Sequence, residues 1–167
     1  MNARSVVRSV TDFYAMVRKR GLASDMFIIF GGAALVLYGI EKNTSDIDFL
    51  VLDKGYFKEL KTYLNPNSAT KTFINYENKG VTYHIGLPEE FKLVQPEAKE
   101  VRIFDGIQIY LRPLHLLYAD QKAYKEDLES IFSKVDETPD TLKKYYPRYR
   151  KVLRRLEILK SALYKRV

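Results

Sequence analysis

The sequence predicts a mixed α/β (α+β) fold, in which a sheet flanked by helices is followed by a C-terminal helical extension. Two short apolar runs, at 26–30 and 46–52, have the β-rich composition of buried strands. Two later segments are centred on turn residues and predict β-hairpins. After Pro113 the apolar residues recur at helical spacing. We therefore expect an α/β core at 1–112 and a helical extension at 113–167, which together form one compact domain.

The first third of the chain predicts a helix, a strand, a second helix and a second strand. Apolar residues between positions 6 and 17 recur at helical spacing. The strand at 26–30 is broken by Gly31-Gly32, and the following "AALVLYGI" begins with good helix formers and ends near Gly39. The second strand, "DIDFLVL", is apolar apart from its two acids.

The later elements are predicted from turn chemistry and helical spacing. Residues 54–64 predict a helix, and the next segment predicts a hairpin that turns at 78–80. Asp105-Gly106 is a favoured two-residue hairpin turn. Thr138 and Pro139 are typical of a helix start, and Pro147 is expected to interrupt that region before a final helix.

Composition limits the classes of protein that the chain can represent. Its 167 residues are enough for one domain with a proper core, and a hydrophobic fraction of 46% is ordinary. The absence of cysteine excludes disulfides and cysteine-ligated zinc, and two histidines disfavour a histidine-rich metal site. The longest apolar run is shorter than the roughly 20 residues of a membrane span, and no secretion signal is visible. We expect a cytoplasmic protein without a membrane partner.

The charge favours polyanionic partners. The formal net charge of +7 suits RNA, DNA or nucleotides, although a soluble basic protein without such a partner has the same charge. In the segment 143–155, three tyrosines are interleaved with cations. Such rings can stack on bases while the cations hold phosphates; alternatively, an amphipathic helix turns the tyrosines inward and its basic face to solvent. The predicted nucleic-acid contacts are Arg148, Arg150, Lys151, Arg154 and Arg155.

The two acids of the second strand point to a metal ion. Residues i and i+2 of a strand share one face, so Asp46 and Asp48 project together while Ile47 points to the opposite face. Two neighbouring carboxylates repel each other, and a divalent cation between them removes that penalty. Carboxylate oxygens suit Mg²⁺ or Mn²⁺, which commonly bridge carboxylates to nucleotide phosphates.

The glycine pair predicts a phosphate-binding turn. Without Cβ atoms, the backbone at Gly31 and Gly32 can approach a ligand closely, and a following helix presents free N–H groups to an anion. Taken alone, Gly-Gly can be a tight turn, Asp46 can cap a turn through Ser45, and Asp48 can sit at a strand edge. The order of strand, Gly-Gly, helix and Asp-x-Asp strand is far more specific than either motif.

The stretch "GGAALVLYGIEKNTSDIDFLV" resembles the signature of the polymerase-β-like nucleotidyltransferase superfamily. A small residue after Gly-Gly, a glycine late in the helix and a Thr before the acids are most similar to the AbiEii-type branch, which includes toxin components of toxin–antitoxin pairs. The family usually has Arg before the Thr, whereas this chain has Asn43. The firm match covers residues 26–52.

This resemblance implies transfer of a nucleoside monophosphate from a nucleoside triphosphate to a hydroxyl group. Asp46 and Asp48 would bind Mg²⁺ or Mn²⁺, and two-metal catalysis explains the reaction physically. The acceptor would be tRNA, another RNA or a protein, and a cognate antitoxin-like protein is a further expected partner. The implied triphosphate-binding residues are Gly31, Gly32, Thr44 and Ser45.

One position departs from the family pattern. Active members add a third carboxylate from a later strand, where this chain has His84 within "GVTYHIGL". The imidazole can act as the catalytic base near neutral pH, or it can belong to a protein that has lost catalysis. Asp105 is another candidate acid, although its Asp-Gly context favours a turn. Three hypotheses follow: a nucleotidyltransferase, a catalytically degenerate binding module, and a plain structural protein that leaves the paired acids unexplained.

Overall fold

The computed structural model describes residues 1–134 and 139–165, except for the side chains of residues 139 and 142. It comprises a first compact unit, Met1–Pro113, and a second unit that starts at Leu114. The helices of the first unit are α1 (Ala3–Lys19), α2 (Gly31–Leu37), α3 (Lys54–Tyr63) and α4 (Pro88–Phe91), and a short 3₁₀ turn lies at Ser24–Met26. The second unit contains α5 (Leu114–Lys134) and α6 (Pro139–Tyr164).

A seven-stranded mixed sheet forms the centre of the first unit. Its order is β3-β4-β5-β2-β1-β7-β6, so β2 lies in the middle between β5 and β1. Strand β2 runs antiparallel to β1 and parallel to β5. The strands are β1 (Phe27–Phe30), β2 (Asp46–Val51), β3 (Ser68–Ala69), β4 (Phe73–Asn78), β5 (Val81–Gly86), β6 (Glu100–Phe104) and β7 (Ile107–Leu111). The predicted mixed α/β class is therefore confirmed.

Aromatic side chains pack α1 against one face of this sheet. The Phe13 ring stacks on Phe49 of β2 with centroids 4.3 Å apart, and it also contacts the rings of Phe27 and Tyr83. All four side chains are buried. The buried hydroxyl of Tyr14 donates a hydrogen bond of 2.9 Å to the carbonyl of Phe27, so this polar group also has a partner. This aromatic layer fixes β1, β2 and β5 beneath α1.

Most predicted elements of the core are present. The two hairpins are confirmed, with turns at Lys79-Gly80 and Asp105-Gly106 in which both residues of each turn have positive φ. Such φ values are those of the tight turns that match strand twist. Helix α2 begins at Gly31 itself, so the glycine pair forms its first turn rather than preceding it.

The second unit corrects one expectation. Pro147 does not interrupt the C-terminal region, because α6 continues through it from residue 139 to 164. A proline removes one backbone donor, but packing can retain the helix around it. Here α6 packs on α5, with Val152 and Leu159 buried and the Tyr149 ring edge-on to Phe132. The predicted cap Thr138 lies outside the described residues. Among those residues, no helix combines the length and apolar character of a membrane span.

Candidate metal and nucleotide site

Strand pairing brings the two predicted acids next to His84. Asp48 lies opposite Phe30 of β1 on one side and opposite His84 of β5 on the other. Asp46 lies two residues earlier on the same face of β2. Ile47, between them, points to the opposite face and is fully buried. The alternation predicted for this strand is confirmed, and it separates the acids from the aromatic layer beneath α1.

The three side chains form one cluster. The Nδ1 atom of His84 lies 3.1 Å from Oδ1 of Asp48 and 3.6 Å from Oδ2 of Asp46. One ligand atom from each residue can be chosen so that all three lie within 4.8 Å of one another. The side chains are only partly exposed, by 29% for Asp46, 22% for Asp48 and 30% for His84. The cluster is thus accessible to a small ligand but is not fully hydrated.

The electrostatics of the cluster favour a cation. The hydrogen bond to Asp48 raises the pKa of His84 above its ordinary value, and the negative charges of Asp48 and Asp46 add to this effect, although partial burial opposes it. A proton on the imidazole is one way to balance two carboxylates. A divalent cation at the same place is another, and it would displace that proton.

The distances in the cluster fit a single bound cation. Two donors at about 2.1 Å from one ion lie about 3.0 Å apart at right angles and about 3.4 Å apart in a tetrahedral arrangement. The separations between His84 Nδ1 and the carboxylate oxygens are close to these values. Asp46, Asp48 and His84 could therefore hold one metal ion between the imidazole nitrogen and the two carboxylates.

Gly31 shapes the edge of this cluster. It has a φ of +63°, which L side chains rarely adopt, and a Cβ atom there would collide with Oδ2 of Asp48. Only glycine lets the start of α2 approach the carboxylate so closely. Gly32 is the second residue of α2, a helix of seven residues. The predicted phosphate contacts of Gly31 and Gly32 stay predictions, but the backbone of Gly31 lies beside Asp48.

The remaining predicted residues lie outside the cluster. The hydroxyl of Thr44 donates to the carbonyl of Asp46 at 3.1 Å, and Ser45 is exposed. Their predicted role in triphosphate binding stays a prediction. Asp105 occupies the β6–β7 turn, as its sequence context favours. Within residues 1–134 and 139–165, no third carboxylate joins the group formed by Asp46, Asp48 and His84.

Two residues beside His84 were not predicted from the sequence. Asn75 of β4 lies directly opposite His84, so its side chain is on the same face of the sheet. The Phe73 ring lies 5.6 Å from the imidazole, centroid to centroid. Alternation along the 73–78 strand could have placed both on one face. Their proximity to the acids depends on the pairing of β4, β5 and β2.

The predicted nucleic-acid residues form a basic face of α6 in the second unit. Arg148, Arg150, Lys151 and Arg154 are exposed, and Arg155 is partly exposed. Tyr149 points toward α5, where its hydroxyl donates to Glu129 at 3.1 Å. Tyr146 is 52% exposed, with the Arg150 guanidinium 6.0 Å from its ring centroid. Both interpretations of this segment therefore apply to α6: Tyr149 packs toward α5, whereas Tyr146 lies among exposed cations.

Comparison with known proteins relates this fold to nucleotidyltransferases. No protein-family model matches the chain, and no curated protein matches it. A candidate nucleotidyltransferase from Thermotoga maritima superposes with a TM-score of 0.54 at 16% identity, over 89% of this chain and 96% of that one. An antigenic nucleotidyltransferase-like protein from Paracoccidioides brasiliensis superposes with a TM-score of 0.56 at 13% identity, over 95% and 77% respectively. The chain has a nucleotidyltransferase-like fold, and the cluster in that fold suggests a divalent metal.

Proposed function

We propose that this protein is a metal-dependent nucleotidyltransferase, which moves a nucleoside monophosphate from a nucleoside triphosphate to an RNA or protein acceptor. The observation that carries the proposal is the convergence of Asp46, Asp48 and His84 beside Gly31, in a nucleotidyltransferase-like fold. A simple structural role leaves two neighbouring, partly buried carboxylates without a reason. A site for a cation and a polyphosphate explains both the paired acids and the glycine beside them.

Each residue of the cluster has a role in this proposal. Asp46 and Asp48 would hold a divalent cation, which would neutralise triphosphate charge and polarise the reacting phosphoryl group. Gly31 lets the start of α2 lie directly against the Asp48 carboxylate, because it has no Cβ to collide with Oδ2, and a phosphate held by the cation would lie close to this backbone. His84 presents Nδ1 to the acids. A base role for its imidazole, as the sequence suggests, would therefore fall to Nε2.

The class of acceptor is proposed from the positive charge of the protein. The formal net charge of +7 and the basic face of α6 support an RNA acceptor, because exposed Arg and Lys side chains bind phosphates while Tyr146 can stack on a base. The resemblance to AbiEii-type proteins extends the proposal to a toxin-like activity on tRNA and to an antitoxin-like protein partner. A protein acceptor is the other class to be tested.

The activity can be measured directly. The full chain is incubated with nucleoside triphosphates labelled at the α-phosphate, with Mg²⁺ or Mn²⁺, and with tRNA or a protein acceptor. We expect label on one acceptor and its loss in the double variant Asp46→Ala, Asp48→Ala. The matched control is Asp12→Ala, which removes an exposed carboxylate of α1 and should leave transfer unchanged. Transfer that survives in the double variant, or no transfer in wild type, would contradict the proposal.

A second candidate function is a binding module that has lost catalysis. It is favoured by the imidazole of His84, since no third carboxylate joins the acids in the described part of the chain. In that case RNA binding should persist in the Asp46→Ala, Asp48→Ala variant. Charge reversal at Arg148 and Arg150 should instead weaken binding and flatten its dependence on salt. A gel-shift titration at two salt concentrations separates these outcomes.

A further inference from the structure

We infer that Asp46, Asp48 and His84 form a mixed oxygen–nitrogen site that selects a divalent transition-metal ion such as Mn²⁺ over Mg²⁺. This inference rests on the proposed function, because it concerns the metal of the same site. It goes further by assigning Nδ1 of His84 as a metal ligand, and by predicting that this one side chain sets the preference for the metal.

The chemistry of the donors supports this selection. Mg²⁺ is a hard cation that prefers oxygen ligands in near-ideal octahedral geometry and retains several waters. Imidazole nitrogen suits transition metals, and affinity for a given set of N and O donors increases from Mn²⁺ to later members of the series. A neutral imidazole also contributes no negative charge. The site therefore attracts Mg²⁺ less than three carboxylates would, while it gives a transition metal a better donor.

The geometry places the nitrogen where a ligand is needed. Nδ1 of His84 faces both carboxylates, at 3.1 Å from Asp48 and 3.6 Å from Asp46. The backbone pairing of Asp48 with His84 fixes the two side chains on one face of adjacent strands. The Phe73 ring packs near the imidazole, with the two ring centroids 5.6 Å apart. The strand pairing thus places the nitrogen beside both carboxylates before any ion binds.

The described part of the chain contains no second cluster of this kind. Among the described residues, these three are the one group of three or more His, Asp or Glu side chains whose ligand atoms lie within 4.8 Å of one another. The chain has two histidines, and the second, His115, lies at the start of α5 in the second unit. His115 therefore offers a matched control for any variant of His84.

The experiment compares cation binding in three full-length proteins: wild type, His84→Asp and His115→Asp. After chelation and dialysis, Mg²⁺, Mn²⁺ and Co²⁺ are titrated separately by calorimetry. We expect wild type and His115→Asp to bind Mn²⁺ at least about tenfold more tightly than Mg²⁺, a ratio that falls by about tenfold or more in His84→Asp. His84→Gln, which also replaces nitrogen by oxygen but adds no charge, should reduce the ratio as well if His84→Asp fails to fold.

A spectroscopic measurement identifies the ligand without reference to activity. Pulsed electron paramagnetic resonance of the Mn²⁺-loaded protein should show coupling to a nitrogen nucleus in wild type and in His115→Asp, and no such coupling in His84→Asp. Mn²⁺ bound without nitrogen coupling, equal affinities for Mg²⁺ and Mn²⁺, or no cation binding would each overturn the inference. Nitrogen-coupled Mn²⁺ without nucleotidyl transfer would sustain it and contradict the proposed enzyme. Nucleotidyl transfer that Mg²⁺ and Mn²⁺ support equally well would sustain the proposed enzyme and contradict the inference about metal selection.

Discussion

The two faces of the central strands differ sharply in chemistry although they share one backbone. On the α1 face, the rings of Phe27, Phe49 and Tyr83 pack against Phe13 and are buried. On the opposite face, the cluster of Asp46, Asp48 and His84 is partly exposed and carries charge. Alternation along β2 places Phe49 and Asp48 next to each other in sequence and on opposite sides of the sheet.

This difference separates stability from ligand binding. Burying a large apolar side chain stabilises a fold by about 1.5–3 kcal/mol, and stacked rings add to this. Neighbouring carboxylates do not stabilise the fold to a comparable extent, because their repulsion must be balanced by a proton or a cation. We therefore expect changes on the α1 face to affect folding, and changes on the opposite face to affect metal binding.

The largest effect on stability is expected for Phe49→Ala. The ring is fully buried and lies 4.3 Å from Phe13, centroid to centroid. Its removal leaves a cavity beneath α1, so the free energy of unfolding should fall by about 3–5 kcal/mol. Urea denaturation followed by circular dichroism measures this loss. A decrease below about 1 kcal/mol would show that α1 does not depend on the aromatic layer.

A smaller but more specific effect is expected for Gly31→Ala. The substitution combines an unfavourable positive φ with a collision between the new Cβ and the Asp48 carboxylate, and should cost about 1–3 kcal/mol. Gly39→Ala is the matched control, because Gly39 has a φ of +79° but no atom within 4 Å of a Cβ there. Both variants bear backbone strain, and Gly31→Ala alone displaces Asp48.

Metal binding should distinguish the two glycine variants. Mn²⁺ titration by calorimetry should show weaker binding in Gly31→Ala and wild-type binding in Gly39→Ala. Equal metal affinity in both variants would mean that the position of Asp48 relative to α2 does not matter for the site.

The sequence predicts the local parts of this arrangement well. The strand, glycine pair, helix and second strand follow from apolar runs and turn residues, and the shared face of Asp46 and Asp48 follows from strand periodicity alone. The opposite orientation of Ile47 is also predicted and confirmed. These features depend on residues close together along the chain, where propensity and alternation are informative.

The pairing of strands that are distant along the chain could not be derived from the sequence in the same way. His84 faces the acids because β5 pairs with β2 in a register that sets it opposite Asp48, and a shift by one residue would present Tyr83 instead. Asn75 reaches this face through a further strand pairing. Pro147 was predicted to break a helix because local propensity disfavours it, whereas packing of α6 on α5 retains the helix. In each case a tertiary contact decides the outcome.

Asp48→Asn should change stability by less than about 1 kcal/mol, because the side chain is 22% exposed and the amide oxygen can still accept a hydrogen bond from His84. Mn²⁺ affinity should nevertheless fall at least about tenfold, since a charged ligand is lost. Asp12→Asn, an exposed acid of α1, is the control and should alter neither property. A loss of stability as large as that of Phe49→Ala would remove the proposed separation between the two faces.

The smallest expected effect is a pH dependence of stability that arises from His84, on the face of the sheet that carries the two acids. The hydrogen bond to Asp48 raises the pKa of His84 in the folded protein above its ordinary value of about 6.5. Without metal, the resulting stabilisation is fully present below about pH 6.5 and is lost as the pH rises through the folded-state pKa. Subtracting the unfolding free energy of His84→Gln from that of wild type at each pH gives the contribution of His84 and its interaction with the two acids, because groups distant from His84 cancel. Bound Mn²⁺ requires the unprotonated nitrogen, so metal affinity should instead increase over the same pH interval. If the difference between the two proteins does not change with pH, the proton on His84 does not balance the carboxylates, and the acids of this face are held by other contacts.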